Sequence, residues 1–179
     1  MSFSFSPMTE DDARAILAWR YDGPYAVYNA PDQALAAYSD ALAEMLDARS
    51  PYFAVREQGQ AGAQPIGFCA YGSACEVGAD ETRGLAAPYV LRPDGSLTIG
   101  LGLRPDLTGQ GRGLALVEAG LAFARERYDL TLFRLYVFAW NQRAIRVYER
   151  AGFTTIGETR PAAPEGERVF IEMTRPVER

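Results

Sequence analysis

The chain has 179 residues, 48% of them hydrophobic and 23% charged, with a net charge of −5 and no histidine. A chain of that length and composition supports one good hydrophobic core in one globular domain, 1–179. Without histidine there is no Ser-His-Asp or Cys-His catalysis and no imidazole metal site; with all 18 basic residues arginine there is no lysine Schiff base, and a pI near 4.9 argues against a nucleic-acid surface.

Phe3 and Phe5 alternate with serines and predict a short first strand, stopped by Pro7. Thr9-Glu10-Asp11-Asp12 reads as a helix start with acidic residues in its first turn, and Ala13, Ile16, Leu17 and Arg20 carry the helix on. The stretch from Arg20 to Asn29 has no period, contains a Gly23-Pro24 turn, and is dense in tyrosine beside Trp19. A second helix is expected from about Asp32 to Ala48, with Leu35, Tyr38, Leu42, Met45 and Leu46 on its apolar side and Ser50-Pro51 ending it. Tyr52–Val55 and Ile66–Tyr71 predict two strands of a hairpin across the turn 58–64. Residues 72–94 show no clear period and carry Glu76, Asp80 and Glu81 before the Pro93-Asp94-Gly95 turn.

Leu97, Ile99, Leu101 and Leu103 then alternate with Thr98, Gly100 and Gly102, the period of a strand. Glycine at alternate positions points to a bulge or to another group lying close to the backbone. Arg104-Pro105-Asp106 ends the strand. Gly109, Gly111 and Gly113 follow, and Leu114, Val117, Leu121, Ala124 and Tyr128 set out a helix. A strand, a glycine-studded turn and a helix start make an anion site, because the first helical N–H groups lack partners and the dipole is positive there. The absence of lysine excludes a P-loop, and Gly109-x-Gly111-x-Gly113 in mid-chain is not the dinucleotide fingerprint. Leu132–Val137 predicts another strand. A helix capped by Asn141 follows, with Ala144, Val147, Tyr148 and Ala151 on one face and Gly152 as its stop. Thr154–Thr159 and Arg168–Met173 predict the last strands, around the turn Pro161–Gly166.

Thr108-Gly109-Gln110-Gly111-Arg112-Gly113 resembles the acyl-CoA loop of the GNAT superfamily of N-acetyltransferases, with Thr108 where that family commonly has Arg or Gln. The stretch Asn141 to Phe153, with its Asn, Ala and Tyr closed by Gly-Phe, is similar to the family's second signature. The resemblance covers about residues 97–153, and the order β-α-α-β-β-β-α-β-α-β-β extends it. It implies an α/β (α+β) fold with a mixed, mostly antiparallel sheet, flanked by helices and splayed between the fourth and fifth strands. It also implies acetyl-CoA as cosubstrate, no metal, and direct transfer of the acyl group to an amine of a small molecule or protein N-terminus.

On the resemblance, the backbone of Leu101 and Leu103 would pair with the pantetheine arm, the amides of Gln110, Gly111, Arg112, Gly113 and Leu114 would hold the pyrophosphate, and Thr108 and Gly109 would belong to the same cofactor loop. Asn141 and Arg143 would also contact the cofactor, with Arg112, Arg143 or Arg146 meeting a phosphate by side chain. A backbone N–H near Leu103 would stabilise the oxyanion, and Tyr148 would protonate the leaving thiolate. Trp19, Tyr25 and Tyr28 would wall the acceptor side. The central strand carries no carboxylate for a general base, which leaves water leading to Glu76, Asp80, Glu81 or Asp94. A catalytically silent CoA-binding module and an interaction domain on the same fold are the alternatives. Cys69 and Cys75 are expected to be buried or half-buried thiols. No apolar run reaches membrane-spanning length and no signal-peptide profile opens the chain, so a cytoplasmic monomer or homodimer without a membrane partner is expected.

Overall fold

The computed structural model describes residues 2–49, 51–59, 62–77, 90–161 and 168–177. Its elements run β1 (Phe3–Pro7), α1 (Glu10–Leu17), α2 (Ala36–Leu46), β2 (Tyr52–Glu57), β3 (Gly67–Tyr71), β4 (Ser96–Leu103), α3 (Arg112–Arg127), β5 (Leu132–Phe138), α4 (Gln142–Arg150), β6 (Thr154–Thr159) and β7 (Phe170–Pro176), the order expected from the sequence. The seven strands form one sheet in the order β1-β2-β3-β4-β5-β7-β6. Neighbours are antiparallel except β4 and β5, which run parallel.

The alternation in β4 sorts the two faces of the sheet. Leu97 and Ile99 enter the main core with Val117 and Leu121 of α3 and Phe133, Leu135 and Val137 of β5. Thr98, Gly100 and Gly102 point the other way, toward α1 and α2, which bury Ala13, Ile16, Leu17, Tyr38 and Met45 with Trp19 and Phe68 packed against them. A Cβ on Gly102 would collide with the Phe68 ring, and one on Gly100 would come within 3.1 Å of Cys75 Sγ. The glycines of β4 thus make room for side chains lying across the strand. No bulge accompanies them, because the β3–β4 register is unbroken from Gly67–Leu103 to Tyr71–Ile99.

The β4–β5 pairing ends early. It runs from Ser96–Leu132 to Thr98–Arg134, while β4 continues to Leu103 and β5 to Phe138. Beyond Thr98 the two strands part, and the sheet opens there as expected. Arg104 N–H donates to the Ile66 carbonyl at 2.8 Å, which makes Arg104–Ile66 a hydrogen-bonded pair of the antiparallel ladder. Pairs alternate, so Gly102 and Gly100 bond to β3 while the peptide groups of Leu101 and Leu103 face the opening.

Several boundaries differ from the sequence-based expectation. α1 stops at Leu17, and the Arg20 guanidinium turns back to the Leu17 and Trp19 carbonyls at 2.8 and 2.7 Å. α2 begins at Ala36, because Asp32 closes a turn with Leu35 N–H instead of starting the helix. Leu35 is 55% and Leu46 39% exposed, so neither belongs to the buried side of α2. The stretch 23–28 forms a 3-10 helix that its irregular pattern had not revealed. β7 extends to Pro176. Most of the turn expected at Pro161–Gly166, and Asp80 and Glu81, lie outside the described residues. Cys69 is buried and Cys75 half-buried, and neither is in a disulfide. Among the described residues no helix is long and apolar enough to cross a membrane.

Candidate active site

A cleft of about 590 Å³ passes through the sheet where β4 and β5 part. It is lined from the α3 side by Leu114, Val117, Val147 and Tyr148 and from the other side by Leu17, Trp19, Met45 and Phe68, with Gly100 to Leu103 as one lip. A site of this size, mostly apolar with a few polar groups, is the usual form of a small-molecule site.

At one end lies the start of α3. Gly109 and Gly111 hold φ of +76° and +75°, the left-handed region where other residues are strained, and a Cβ on either would project into open space. Gly111 is the N-cap, with no side chain capping the helix. The contrast with α1 and α4 is direct, since Thr9 accepts from Asp12 N–H at 3.2 Å and Asn141 from Ala144 N–H at 3.1 Å. The first N–H groups of the longest described helix therefore point, unsatisfied by a cap, from a backbone without side chains in the way. That arrangement fits a phosphate group. Gly113 lies against α4, where a Cβ would make an ordinary contact with Val147 at 3.6 Å.

The side chains of this turn are otherwise engaged. Gln110 Nε2 donates to the Asp106 carbonyl at 2.6 Å, and Thr108 Oγ1 to the Pro105 carbonyl at 2.8 Å. Arg112 pairs with Glu57 at 2.5 Å and Arg146 Nε donates to the Gln142 carbonyl at 3.2 Å. Arg143 lines the cleft with its guanidinium 4.2 Å from the centre of the Tyr25 ring. What the turn offers an anion is therefore its backbone N–H groups.

The second signature supplies Asn141 and Tyr148. Asn141, 6% exposed, caps α4 with Oδ1 and donates from Nδ2 to the Tyr28 hydroxyl at 2.9 Å. Its amide is committed to the protein at both ends. Tyr148 stands nearly two turns along α4, lines the cleft, and meets Phe153 edge-on at 6.0 Å. Burial, with smaller contributions from Tyr28, Cys69 and Cys75, raises its phenol above the usual tyrosine value. The proton therefore stays on Tyr148 through and beyond the physiological range. The same burial acts on sulfur, since the Cys69 thiol is pushed up to about 12.

The loop between α1 and α2 joins the two lips of the cleft. Tyr21 donates from its hydroxyl to the Leu103 carbonyl at 2.9 Å, while Tyr28 reaches Asn141 on the other side. Asn29 clamps the loop's base, accepting from Tyr21 N–H at 2.7 Å and donating to its carbonyl at 3.1 Å. Trp19, Tyr25 and Tyr28 all line the cleft, as do Leu101, Leu103, Thr108, Gly109, Gly111, Gly113, Leu114, Asn141, Arg143 and Tyr148; Gln110 and Arg112 do not.

The sequence reading missed Tyr21 and Tyr136, which also line the cleft, and the placement of Glu76. Glu76 Oε1 accepts from Thr98 Oγ1 at 2.6 Å, and Oε2 pairs with Arg92 at 2.8 Å. A carboxylate absent from β4 is thus brought against it by the preceding loop. Burial, then the nearby Glu76 charge, raises the Tyr136 phenol. Asp94 stands on the turn into β4, where its carboxylate accepts from Ser96 N–H and Oγ at 2.9 and 2.6 Å.

The model of the acetyltransferase (GNAT) family matches residues 13–153, and the chain belongs to that family. Mycothiol acetyltransferase of Propionibacterium freudenreichii subsp. shermanii is 36% identical over 91 residues, which are 49% of this chain and 28% of that protein. Mycothiol acetyltransferase of Streptomyces coelicolor is 49% identical over 55 residues, 31% of this chain and 18% of that protein. The matched stretches span less than a third of each relative's length. Among solved structures, a spermidine N-acetyltransferase SpeG chimera from Vibrio cholerae and hSSAT superposes with a TM-score of 0.70 at 15% identity, covering 98% of this chain and 96% of that one. The aminoglycoside acetyltransferase AAC(6')-Ib in complex with coenzyme A gives 0.67 at 23% identity, covering 98% and 95%. At these identities the likeness is one of fold.

Proposed function

We propose that the chain is an acyl-CoA-dependent N-acetyltransferase that passes an acetyl group directly to a primary amine. The observation that carries this reading is the uncapped start of α3 behind Gly109 and Gly111, set at the end of a strand whose free peptide edge opens into the same cleft. The family membership and the fold support it. Acetyl-CoA supplies the activated thioester carbonyl. The amides of Gln110 to Leu114 hold the pyrophosphate, and the peptide groups of Leu101 with the N–H of Leu103 align the pantetheine arm.

Leu103 N–H faces the opening and is the donor placed to stabilise charge on the reacting oxygen, its own carbonyl being occupied by Tyr21. Tyr148 holds a proton at its hydroxyl and delivers it to sulfur as the amine displaces it. Asn141 acts through others, fixing the start of α4 and the Tyr28 ring. The amine's proton leaves through water toward Glu76, with Tyr136 beside it; Asp94 serves its own turn.

Trp19, Tyr25 and Tyr28 form the acceptor wall. A thiol-release assay with acetyl-CoA and an amine panel tests the reading. Release with at least one amine is expected, whereas tight acetyl-CoA binding with no release from any amine would leave a silent CoA-binding module.

A further inference from the structure

The half of the cleft that faces α1 and α2 is walled by aromatic rings in contact with one another. Phe170 stacks on Phe138 with centroids 4.3 Å apart, and Tyr28 meets Phe138 at 5.6 Å and Tyr21 at 6.2 Å. Trp19 and Phe68, 6.3 Å apart, form the wall supplied by α1's end and β3. These rings are carried by separate elements, so their convergence is a property of the site and not of one hydrophobic stripe. Tyr28 keeps 43% of its surface exposed, which leaves ring area for an occupant.

Charge is sparse in the same cleft. Among the described residues that line it, Glu44 is the one carboxylate, against the guanidiniums of Arg143 and Arg150. An occupant with several ammonium groups would bring most of them into an apolar enclosure without a partner, beside charges of their own sign, which is costly. An occupant with one ammonium loses that charge before reacting and can lodge its apolar body between the rings.

From these observations, and resting on the acetyltransferase reading, we infer that the acceptor is a small arylalkylamine: one primary amine on an aromatic body. In the transfer the neutral amine nitrogen forms the amide bond and the carbon–sulfur bond breaks. The sulfur gains one proton and the amine loses one, and the proton of the original ammonium is released to solvent.

The test is CoA-thiol release by the full chain at saturating acetyl-CoA, with 2-phenylethylamine, tryptamine, n-hexylamine, spermidine and kanamycin. The two arylalkylamines are expected to exceed spermidine and kanamycin in kcat/KM by about 10²-fold. Phe170→Leu and Tyr28→Leu, each checked for a native melting transition, should cut the preference for 2-phenylethylamine over n-hexylamine by about tenfold and leave the acetyl-CoA KM unchanged. Spermidine or kanamycin as the better substrate overturns the inference, and so does a preference that neither ring substitution moves. Acetyl-CoA binding without turnover of any of the five amines overturns it while the cofactor site stands. No acetyl-CoA binding in calorimetry overturns the acetyltransferase reading itself, and this inference with it.

Discussion

The phenol of Tyr21 donates to the carbonyl of Leu103 at 2.9 Å, a bond between residues 82 positions apart. It fixes the acceptor loop to the end of β4 at the one peptide carbonyl there that faces the opening and already has a partner. Burial first of all pushes the Tyr21 phenol up to about 12, against an ordinary value of 10.

Tyr21→Phe should therefore cost about 1 kcal/mol of stability and loosen residues 21–29, read as faster amide exchange there. The pH dependence has a definite sign. A group whose folded pKa is raised holds its proton longer when folded, so its contribution is complete below pH 10 and lost as pH rises toward about 12. Stability of the native chain should fall across that window, and Tyr21→Phe should flatten the fall. An unchanged alkaline slope in the variant would show that Tyr21 is not the titrating group.

Tyr148→Phe removes one hydroxyl from the cleft wall. It should lower kcat by about 10²-fold with acetyl-CoA affinity unchanged, measured by steady-state kinetics beside calorimetry. Because burial raises this phenol, the native enzyme should lose no activity to Tyr148 ionisation between pH 8 and 10. Full kcat in the variant, with chemistry shown to be rate-limiting, removes the phenol from the mechanism.

Tyr28→Phe and Asn141→Ala separate two roles of one hydrogen bond. Tyr28→Phe keeps the α4 cap and should raise the amine KM alone. Asn141→Ala loses both the cap on Ala144 N–H and the donor to Tyr28, so it should also lower stability by about 1 kcal/mol. Identical effects of the two variants on melting would show that the cap contributes nothing.

How far these relationships could be read from sequence depends on their range. The glycine turn, the Asn141 cap and the alternation of β4 are set by neighbours within a few residues, so spacing exposed them. The glycines of β4 left a bulge and an overlying group as equal readings, and deciding between them required knowing that Phe68 pairs with Gly102 across the β3–β4 ladder. The pairing of Arg112 with Glu57, 55 residues earlier, lies beyond any local pattern. Tyr21 was invisible as a site residue for the same reason, and Glu76, though named as a proton acceptor, could not be placed against Thr98. Leu35 misled because helical spacing extends past the point where an Asp32 turn delays the helix.

Gly102→Ala probes that packing directly. The new methyl would collide with the Phe68 ring, and the variant should lose about 1–3 kcal/mol. Phe68→Leu in the same chain should recover part of that loss, making the two changes non-additive in thermal melts. Strict additivity would mean that the ring does not rest on the strand.

The central claim is that the uncapped amides at the start of α3 bind the cosubstrate's pyrophosphate. Amide NMR of the labelled chain titrated with acetyl-CoA tests it most directly. The N–H signals of Gly111, Arg112, Gly113 and Leu114 should shift and their exchange should slow as the site saturates, with Gly111→Val abolishing the effect in a folded chain. Saturable binding that leaves those four amides unmoved, or binding undiminished in Gly111→Val, would contradict the account.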